Sequence, residues 1–144
     1  MSLNDKIKTY SDYKESFSNQ NLNNNIKDED QYIMYILVNK SLNMNKGKIA
    51  SQVGHAVQKV TEYCLINDKE LYDNYCKNSY AKVVLKVPNE ELLLQILEEL
   101  KGLHKSYVVD EGRTQINPDS VTAIGFNPMK KSERPECLQK LGLL

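Results

Sequence analysis

Four polar side chains recur at helical spacing in one stretch of the chain. Lys48, Gln52, His55 and Lys59 follow one another at intervals of four, three and four positions. On an α-helix these side chains fall within about 60° of one another, so an amine, an amide, an imidazole and a second amine form one row. Such a row can bind phosphate, transfer a proton or stabilise developing negative charge. The alternative is a helix face that simply meets solvent.

A second group of polar residues stands at the end of an apolar segment. Residues 110–115 read Asp-Glu-Gly-Arg-Thr-Gln and follow directly on the apolar residues before them. Proteins with α/β sheets commonly gather their binding groups at strand ends. Gly112 can adopt a positive φ angle at no steric cost, which would let Asp110 and Thr114 point into one shared volume. A turn closed by local Asp and Thr hydrogen bonds is the alternative.

Hydrophobic periodicity indicates the elements that hold these groups. Apolar segments predict four strands, and stretches with a 3.6-residue period predict three helices and a weaker fourth. The strands are expected at residues 32–38, 81–87, 106–110 and 121–126, and the helices at residues 47–66, 69–76, 88–101 and 135–141. This order requires a crossover connection followed by a closing pair of strands. We therefore expect an α/β fold, with three α/β/α layers around a four-stranded mixed sheet.

The helix expected at residues 47–66 has two faces. Its apolar stripe consists of Ile49, Val53, Ala56, Val60 and Cys64, and the polar row that includes Gln52 lies on the other side. Because the helix begins near Gly47, Lys48 would stand at its positive end beside unpaired backbone N–H groups. Gly54 either permits tight packing of the helix on the sheet or admits the close approach of a ligand.

Length and composition limit the class of protein. A chain of 144 residues suits one domain, and no segment approaches the ~20 apolar residues of a membrane span. The N-terminus also lacks the apolar core of a secretory signal, so we expect a soluble cytoplasmic protein without a membrane partner. The three cysteines have no CxxC or Cys/His spacing, so we expect reduced thiols and neither a metal nor another cofactor.

The first 29 residues differ from the remainder in composition. They are rich in Asn, Ser, Asp and Lys, and such a segment buries too little apolar surface to offset its ordering entropy. We expect residues 1–29 to form a mobile extension and residues 30–144 to form the domain. Beyond residue 30 the chain has 15 basic and 13 acidic residues, so its general attraction for nucleic acid is mild.

Two separated motifs resemble one known family. Residues 43–56 read Asn-Met-Asn-Lys-Gly-Lys-Ile-Ala-Ser-Gln-Val-Gly-His-Ala. They are similar to the helix entrance of the type 2 peptidyl-tRNA hydrolase family, with the approximate pattern M-x-K-G-K-x-x-x-Q-x-x-H-A, and residues 110–115 resemble its D-x-G-x-T-Q segment. With the strands near residues 82–87 and 121–125, the likeness spans residues 32–144. Asn45 stands where Gly is usual, Ser51 where Ala is usual, and Glu111 where a small residue is common.

This resemblance implies a reaction and a set of roles. The family hydrolyses the ester between peptide and tRNA in prematurely released peptidyl-tRNA, acts as a homodimer and uses no cofactor. The chain contains neither a serine nucleophile elbow nor a metal-ligand set, which favours direct attack by water. The expected catalytic residues are Lys48, His55, Asp110 and Thr114, and the expected substrate-binding residues are Lys46, Gln52, Lys59, Arg113 and Gln115. The residues leave open whether Asp110 or His55 activates the water.

Two other functions remain as alternatives. The first is a non-catalytic RNA- or protein-binding module on the same fold, since a fold does not dictate an activity. The second is a hydrolase or transferase that acts on another ester or phosphate, and the unusual Asn45 and Glu111 favour it. For the tRNA backbone, further basic candidates are Lys130, Lys131 and Arg134.

Overall fold

The computed structural model describes residues 27–77, 79–110 and 120–144, in which helices and strands alternate. The strands are β1 (Tyr32–Asn39), β2 (Lys82–Val87), β3 (Lys105–Val109), β4 (Val121–Phe126) and β5 (Met129–Lys130). The helices are α1 (Lys46–Asn67), α2 (Lys69–Cys76), α3 (Glu90–Glu99) and α4 (Glu136–Gln139), with 3-10 turns at Asp28–Asp30, Lys40–Leu42 and Lys131–Glu133. Every predicted helix and strand is present to within two residues at each end, whereas β5 was not predicted. Residues 111–119, which include most of the second motif, and nearly all of the predicted extension lie outside the described residues.

The strands form one mixed sheet in the order β2-β1-β4-β3, and the short β5 pairs with the beginning of β1. Strand β1 is parallel to β2 and antiparallel to β4, which is in turn antiparallel to β3. Strands β1, β2 and β3 therefore run in the same direction. Their carboxyl ends share one edge with the beginning of β4, which is where α/β proteins commonly bind ligands.

Helices cover both faces of the sheet. Because successive side chains of a strand point to opposite faces, Met34 and Ile36 of β1 enter one core cluster while Tyr35 and Leu37 enter the other. The first cluster includes side chains of α1 and α2, and the second includes side chains of α3 and α4. The predicted α/β fold with three layers and a mixed sheet is thus confirmed. No helix among the described residues is long and apolar enough to cross a membrane.

Cys64 lies on the buried face of α1 and belongs to the core. Burial is the main cause that raises the pKa of its thiol to about 11, and the negative charge of Asp68 contributes. The thiol therefore stays protonated near neutral pH, which makes it a poor nucleophile. Cys76 and Cys137 are also free thiols.

Helix α1 packs tightly on the sheet at Gly125 of β4. A Cβ atom there would lie 2.7 Å from Val60 Cγ2 and 3.2 Å from the backbone oxygen of Ala56. To make room for this atom, α1 would have to move away from the sheet, which would open the core. We therefore expect Gly125→Ala to lower the free energy of unfolding by about 1–3 kcal/mol. Urea denaturation followed by circular dichroism measures this change.

Gly54 offers the matched control for that substitution. It is exposed on α1, and a Cβ atom there would meet no described atom within 4 Å beyond the backbone of its own helix. Neither reason expected for this glycine, tight packing or close approach of a ligand, has support in the described residues. We expect Gly54→Ala to raise the free energy of unfolding by about 0.5–1 kcal/mol because helices favour Ala over Gly. Equal effects at both positions would contradict the close contact at Gly125.

Candidate active site

A cleft of about 410 Å³ lies between the polar face of α1 and the edge strand β3. Its walls combine charged, amide and imidazole groups from the helix with two valines and a carboxylate from the strand and its end. The lining residues are Lys48, Gln52, His55, Gln58, Lys59, Glu62, Val108, Val109 and Asp110. The two motifs found in the sequence therefore contribute to one cavity.

Asn45 fixes the point at which α1 begins. Its backbone is extended, and its side-chain Oδ1 accepts a hydrogen bond from Lys48 N at 2.8 Å. Asn is among the best residues for this N-cap position. The backbone N–H of Lys48 is therefore bonded to the cap, so it is not among the unpaired N–H groups expected at this end of the helix. The cap orients the first turn of α1, from which the Lys48 side chain extends.

Lys48 reaches across the cleft to Asp110. The distance from Lys48 Nζ to Asp110 Oδ1 is 3.4 Å, and their side chains are 18% and 1% exposed. Asp110 follows β3 directly, and its backbone N–H donates to Ser120 O at 2.9 Å, which holds the strand end in place. An ammonium and a carboxylate at this separation interact more strongly when they are partly removed from water. The pair places a cation and an anion side by side at the carboxyl edge of the sheet.

Gln52 occupies a position that the helical pattern did not predict. It was expected on the solvent side of α1, but it is 4% exposed and continues the buried stripe of Ala56, Val60 and Cys64. Its side-chain Nε2 donates to Thr122 Oγ1 at 2.8 Å. Burial of the amide is tolerated because this hydrogen bond replaces one to water.

The hydrogen bonds of Thr122 determine which end of the Gln52 amide faces the cleft. Thr122 Oγ1 gives its single proton to Val108 O at 3.1 Å, so toward Gln52 it can only accept. The Gln52 atom beside Thr122 must then be Nε2, and the carbonyl Oε1 points away from it. Gln52 lines the cleft, and Oε1, which this bond leaves over, is the acceptor that its amide can offer to a ligand.

A β-bulge places the Thr122 hydroxyl. In the pairing of β3 with β4, Val108 is opposite Ala123 and Val109 is opposite Val121, so Thr122 is an extra residue. Bulges of this kind redirect a side chain and are common beside active sites. Here the extra residue brings a hydroxyl between Val108 O and the Gln52 amide.

The buried polar side chains cluster at this edge of the sheet. Within the part of the chain that the structure describes they are Asn39, Gln52, Asp110 and Thr122. Asn39 ends β1, and its Nδ2 donates to Val121 O at 3.1 Å, which ties β1 to the beginning of β4. Since buried polar groups must be paired at the expense of apolar packing, their concentration here indicates a functional site.

His55 and Lys59 are exposed on the helix side of the cleft. His55 Nε2 lies 3.5 Å from Ser51 Oγ, and Lys59 Nζ donates to Tyr107 O at 2.8 Å. An ammonium group has three N–H donors, so Lys59 retains two for a ligand. Lys46 is exposed in the first turn of α1.

The other candidate residues divide into two groups. Arg113, Thr114 and Gln115 lie outside the described residues. Lys130, Lys131 and Arg134 lie in or near β5, which pairs with the beginning of β1, whereas the cleft lies where β1 ends. They stand about 20 Å away along the strand, given its rise of ~3.3 Å per residue. Lys131 Nζ is also paired with Asp28 Oδ2 at 2.6 Å.

Sequence reasoning missed four residues at the site. Gln58 and Glu62 line the cleft, and Glu62 continues the spacing of the polar row three positions after Lys59. That periodicity was a usable signal. The sequence held no signal for Asn39 and Thr122, because a polar residue within an apolar strand pattern is ordinarily assigned to the exposed face.

Comparison with known proteins adds independent information. Residues 32–144 match the family model described as peptidyl-tRNA hydrolase PTH2. The human protein named "Peptidyl-tRNA hydrolase 2, mitochondrial" is 37% identical over 103 residues, which is 70% of this chain and 58% of that protein. The bovine protein of the same name is 38% identical over 68% of this chain and 56% of its own length. The chain thus spans little more than half of these two relatives.

An archaeal relative is matched over nearly its whole length. A protein of Methanococcus maripaludis strain C6 named "Peptidyl-tRNA hydrolase" is 35% identical over 115 residues, which is 78% of this chain and 99% of the archaeal protein. The domain described above therefore corresponds to a complete archaeal protein rather than to a fragment of one.

Proposed function

Because the chain belongs to the peptidyl-tRNA hydrolase PTH2 family, we propose that it hydrolyses the ester between peptide and tRNA in prematurely released peptidyl-tRNA. The products are a free peptide and a tRNA that can be charged again. The observation that carries the proposal is the approach of Lys48 Nζ to Asp110 Oδ1 at 3.4 Å within a cleft. These residues are 62 positions apart in the sequence, and both lie in the region that matches the family.

Hydrolysis of this ester requires an activated water, a stabilised oxyanion and a proton for the departing 3′ oxygen of the ribose. We assign the first task to Asp110, whose carboxylate orients the water and accepts its proton as the water oxygen attacks the ester carbon. The Lys48 ammonium donates to the oxyanion that then forms. Collapse of this intermediate breaks the bond to the 3′ oxygen and releases the peptide as an acid.

Gln52 and His55 complete the proposed chemistry. The Gln52 carbonyl accepts a hydrogen bond from the attacking water, which fixes the direction of the water's lone pair. The ribose oxygen takes up the proton that Asp110 accepted from the water, and His55, exposed on the same cleft, donates a hydrogen bond that helps to hold the ester in place. His55 as the water-activating base is the alternative assignment. In that case replacing His55 would lower kcat far more than replacing Asp110.

The tRNA contacts are proposed for the cationic end of the cleft. Lys46 and Lys48 lie in the first turn of α1, where the helix dipole adds to their positive charge. Lys59 is a further candidate from the middle of the helix. Arg113, Thr114 and Gln115 keep their proposed roles in substrate binding and catalysis from the sequence motif alone.

The activity is tested by release of free tRNA from a purified N-acetyl-aminoacyl-tRNA. We expect hydrolysis of this blocked substrate and little hydrolysis of the same aminoacyl-tRNA with a free amine. Simple alkyl esters of the N-acetyl amino acid serve as the third substrate. Binding of the blocked tRNA without turnover would support a non-catalytic module, and cleavage of the simple esters alone would support a small-molecule hydrolase.

We also propose that the chain acts as a homodimer, as its resemblance to the family implies, and that it works in the cytoplasm. Light scattering coupled to size-exclusion chromatography measures the oligomeric state. The human and bovine relatives are named mitochondrial, so fractionation of the cells that express this chain tests its location.

A further inference from the structure

The cleft continues well beyond the groups that the proposed reaction uses. Lys48 and Asp110 lie at one end, while Gln58, Lys59 and Glu62 line the helix wall toward the other. From position 55, the last that the proposed reaction uses, to position 62 the helix rises about 10 Å. An extended chain of about three residues has this length. The distal part of the cleft thus has room for a ligand that the ester chemistry alone does not require.

The charges of the two ends differ. The first turn of α1 supplies Lys46 and Lys48, and although Asp110 balances Lys48, Lys46 and the positive end of the helix dipole leave an excess of positive charge there. Farther along, Lys59 is balanced by Glu62, and one N–H of Lys59 is held by Tyr107 O at 2.8 Å. A phosphodiester in the distal part would face a carboxylate and gain no net attraction, whereas a neutral peptide would meet no penalty.

The distal walls match the chemistry of a peptide. Exposed Val109 provides the apolar surface from β3, beside buried Val108, and β3 is the outermost strand of the described sheet on this side. Gln58 Nε2 donates to Glu62 Oε1 at 3.1 Å, which leaves the carbonyl of its amide as an acceptor for a peptide N–H. Edge strands and flanking polar groups recognise extended peptides through main-chain hydrogen bonds and alternating side-chain contacts.

We propose that the distal groove, formed by Gln58, Lys59, Glu62, Val108 and Val109, binds the peptide part of the substrate, with the tRNA at the Lys46 end. This inference rests on the proposed function and deepens it. It orients the substrate along α1: the ester lies at Lys48 and Asp110, and about three residues of peptide beyond the esterified one extend toward Glu62. Substrates with a longer peptide should therefore bind more tightly than substrates with one acylated residue.

The test uses the full chain and two substrates that share the same tRNA and the same esterified residue, one N-acetyl-aminoacyl and one N-acetyl-tetrapeptidyl. Gln58→Trp places a large side chain in the groove from an exposed helix position. For the wild type we expect a lower KM for the tetrapeptidyl substrate. In Gln58→Trp the KM of the tetrapeptidyl substrate should rise by about tenfold relative to the KM of the aminoacyl substrate. This change is equivalent to about 1.4 kcal/mol of lost binding. Gln95→Trp, an equal change on the exposed face of α3, should leave the wild-type ratio unchanged.

A second pair of variants distinguishes peptide from RNA in the groove. Glu62→Lys and Glu91→Lys make the same charge change, the first in the groove and the second on exposed α3. If the groove binds peptide, deacylated tRNA should inhibit both variants equally. Markedly tighter inhibition of Glu62→Lys would mean that RNA occupies the groove and would overturn the proposal. A wild type that hydrolyses both substrates with equal KM would also overturn it, whereas a wild type that hydrolyses neither would refute the proposed function itself.

Discussion

Asp110→Asn should lower kcat by about 10²- to 10⁴-fold, the usual contribution of a general acid or base. The amide has nearly the same shape as the carboxylate, but it cannot accept a proton from water. Because Asp110 is buried and its backbone N–H donates to Ser120 O, the Asn side chain should remain at the same place in the cleft. Single-turnover hydrolysis of N-acetyl-aminoacyl-tRNA measures the chemical step directly.

Asp73→Asn provides a matched control for that experiment. Asp73 also pairs with a lysine at 3.4 Å, but this pair of Lys69 and Asp73 is exposed on α2 and does not line the cleft. Exposed ion pairs contribute little to stability, so we expect wild-type kcat and nearly wild-type unfolding. If a folded Asp110→Asn protein kept full activity, Asp110 would have no part in the mechanism. If His55→Ala lost much more activity than Asp110→Asn, the base would be His55.

Thr122→Val should lower kcat by up to about 10²-fold, although Thr122 does not itself line the cleft. The methyl group replaces a hydroxyl that accepts from Gln52 Nε2 and donates to Val108 O. Without it, the Gln52 amide can turn and present N–H donors where the attacking water needs an acceptor. Small displacements of positioning groups can reduce rates by this amount. Steady-state kinetics should show the loss in kcat more than in KM.

Two further variants separate positioning from mere structural damage. Thr122→Ser keeps the hydroxyl and should restore most of the activity. The double variant Thr122→Val with Gln52→Ala should have the same kcat as Gln52→Ala alone, because Thr122 acts through Gln52. If the two losses multiplied instead, Thr122 would act independently of Gln52. The unfolding free energy of each protein, measured in urea, corrects for the hydrogen bonds lost from the core.

Local patterns in the sequence were sufficient for the elements and for part of the site. A period of two or a continuous apolar run identifies a strand, and a period of 3.6 identifies a helix, because each reflects burial along a single element. The row from Lys48 to Lys59 and the position of Asp110 at a strand end followed from the same local geometry. Both groups do line one cleft, and Lys48 reaches Asp110.

The tertiary structure decided the burial of Gln52, the position of the Thr122 hydroxyl and the groove along α1. These features depend on which distant residues become neighbours. Periodicity assigned Gln52 to solvent, whereas a hydroxyl 70 positions away makes its burial tolerable. That hydroxyl is available only because a bulge in β4 adds Thr122 opposite β3. The groove along α1 likewise exists because the sheet order leaves β3 at the edge beside that helix. Strand order and register result from the sum of contacts over the whole core, so no single segment of the sequence encodes them.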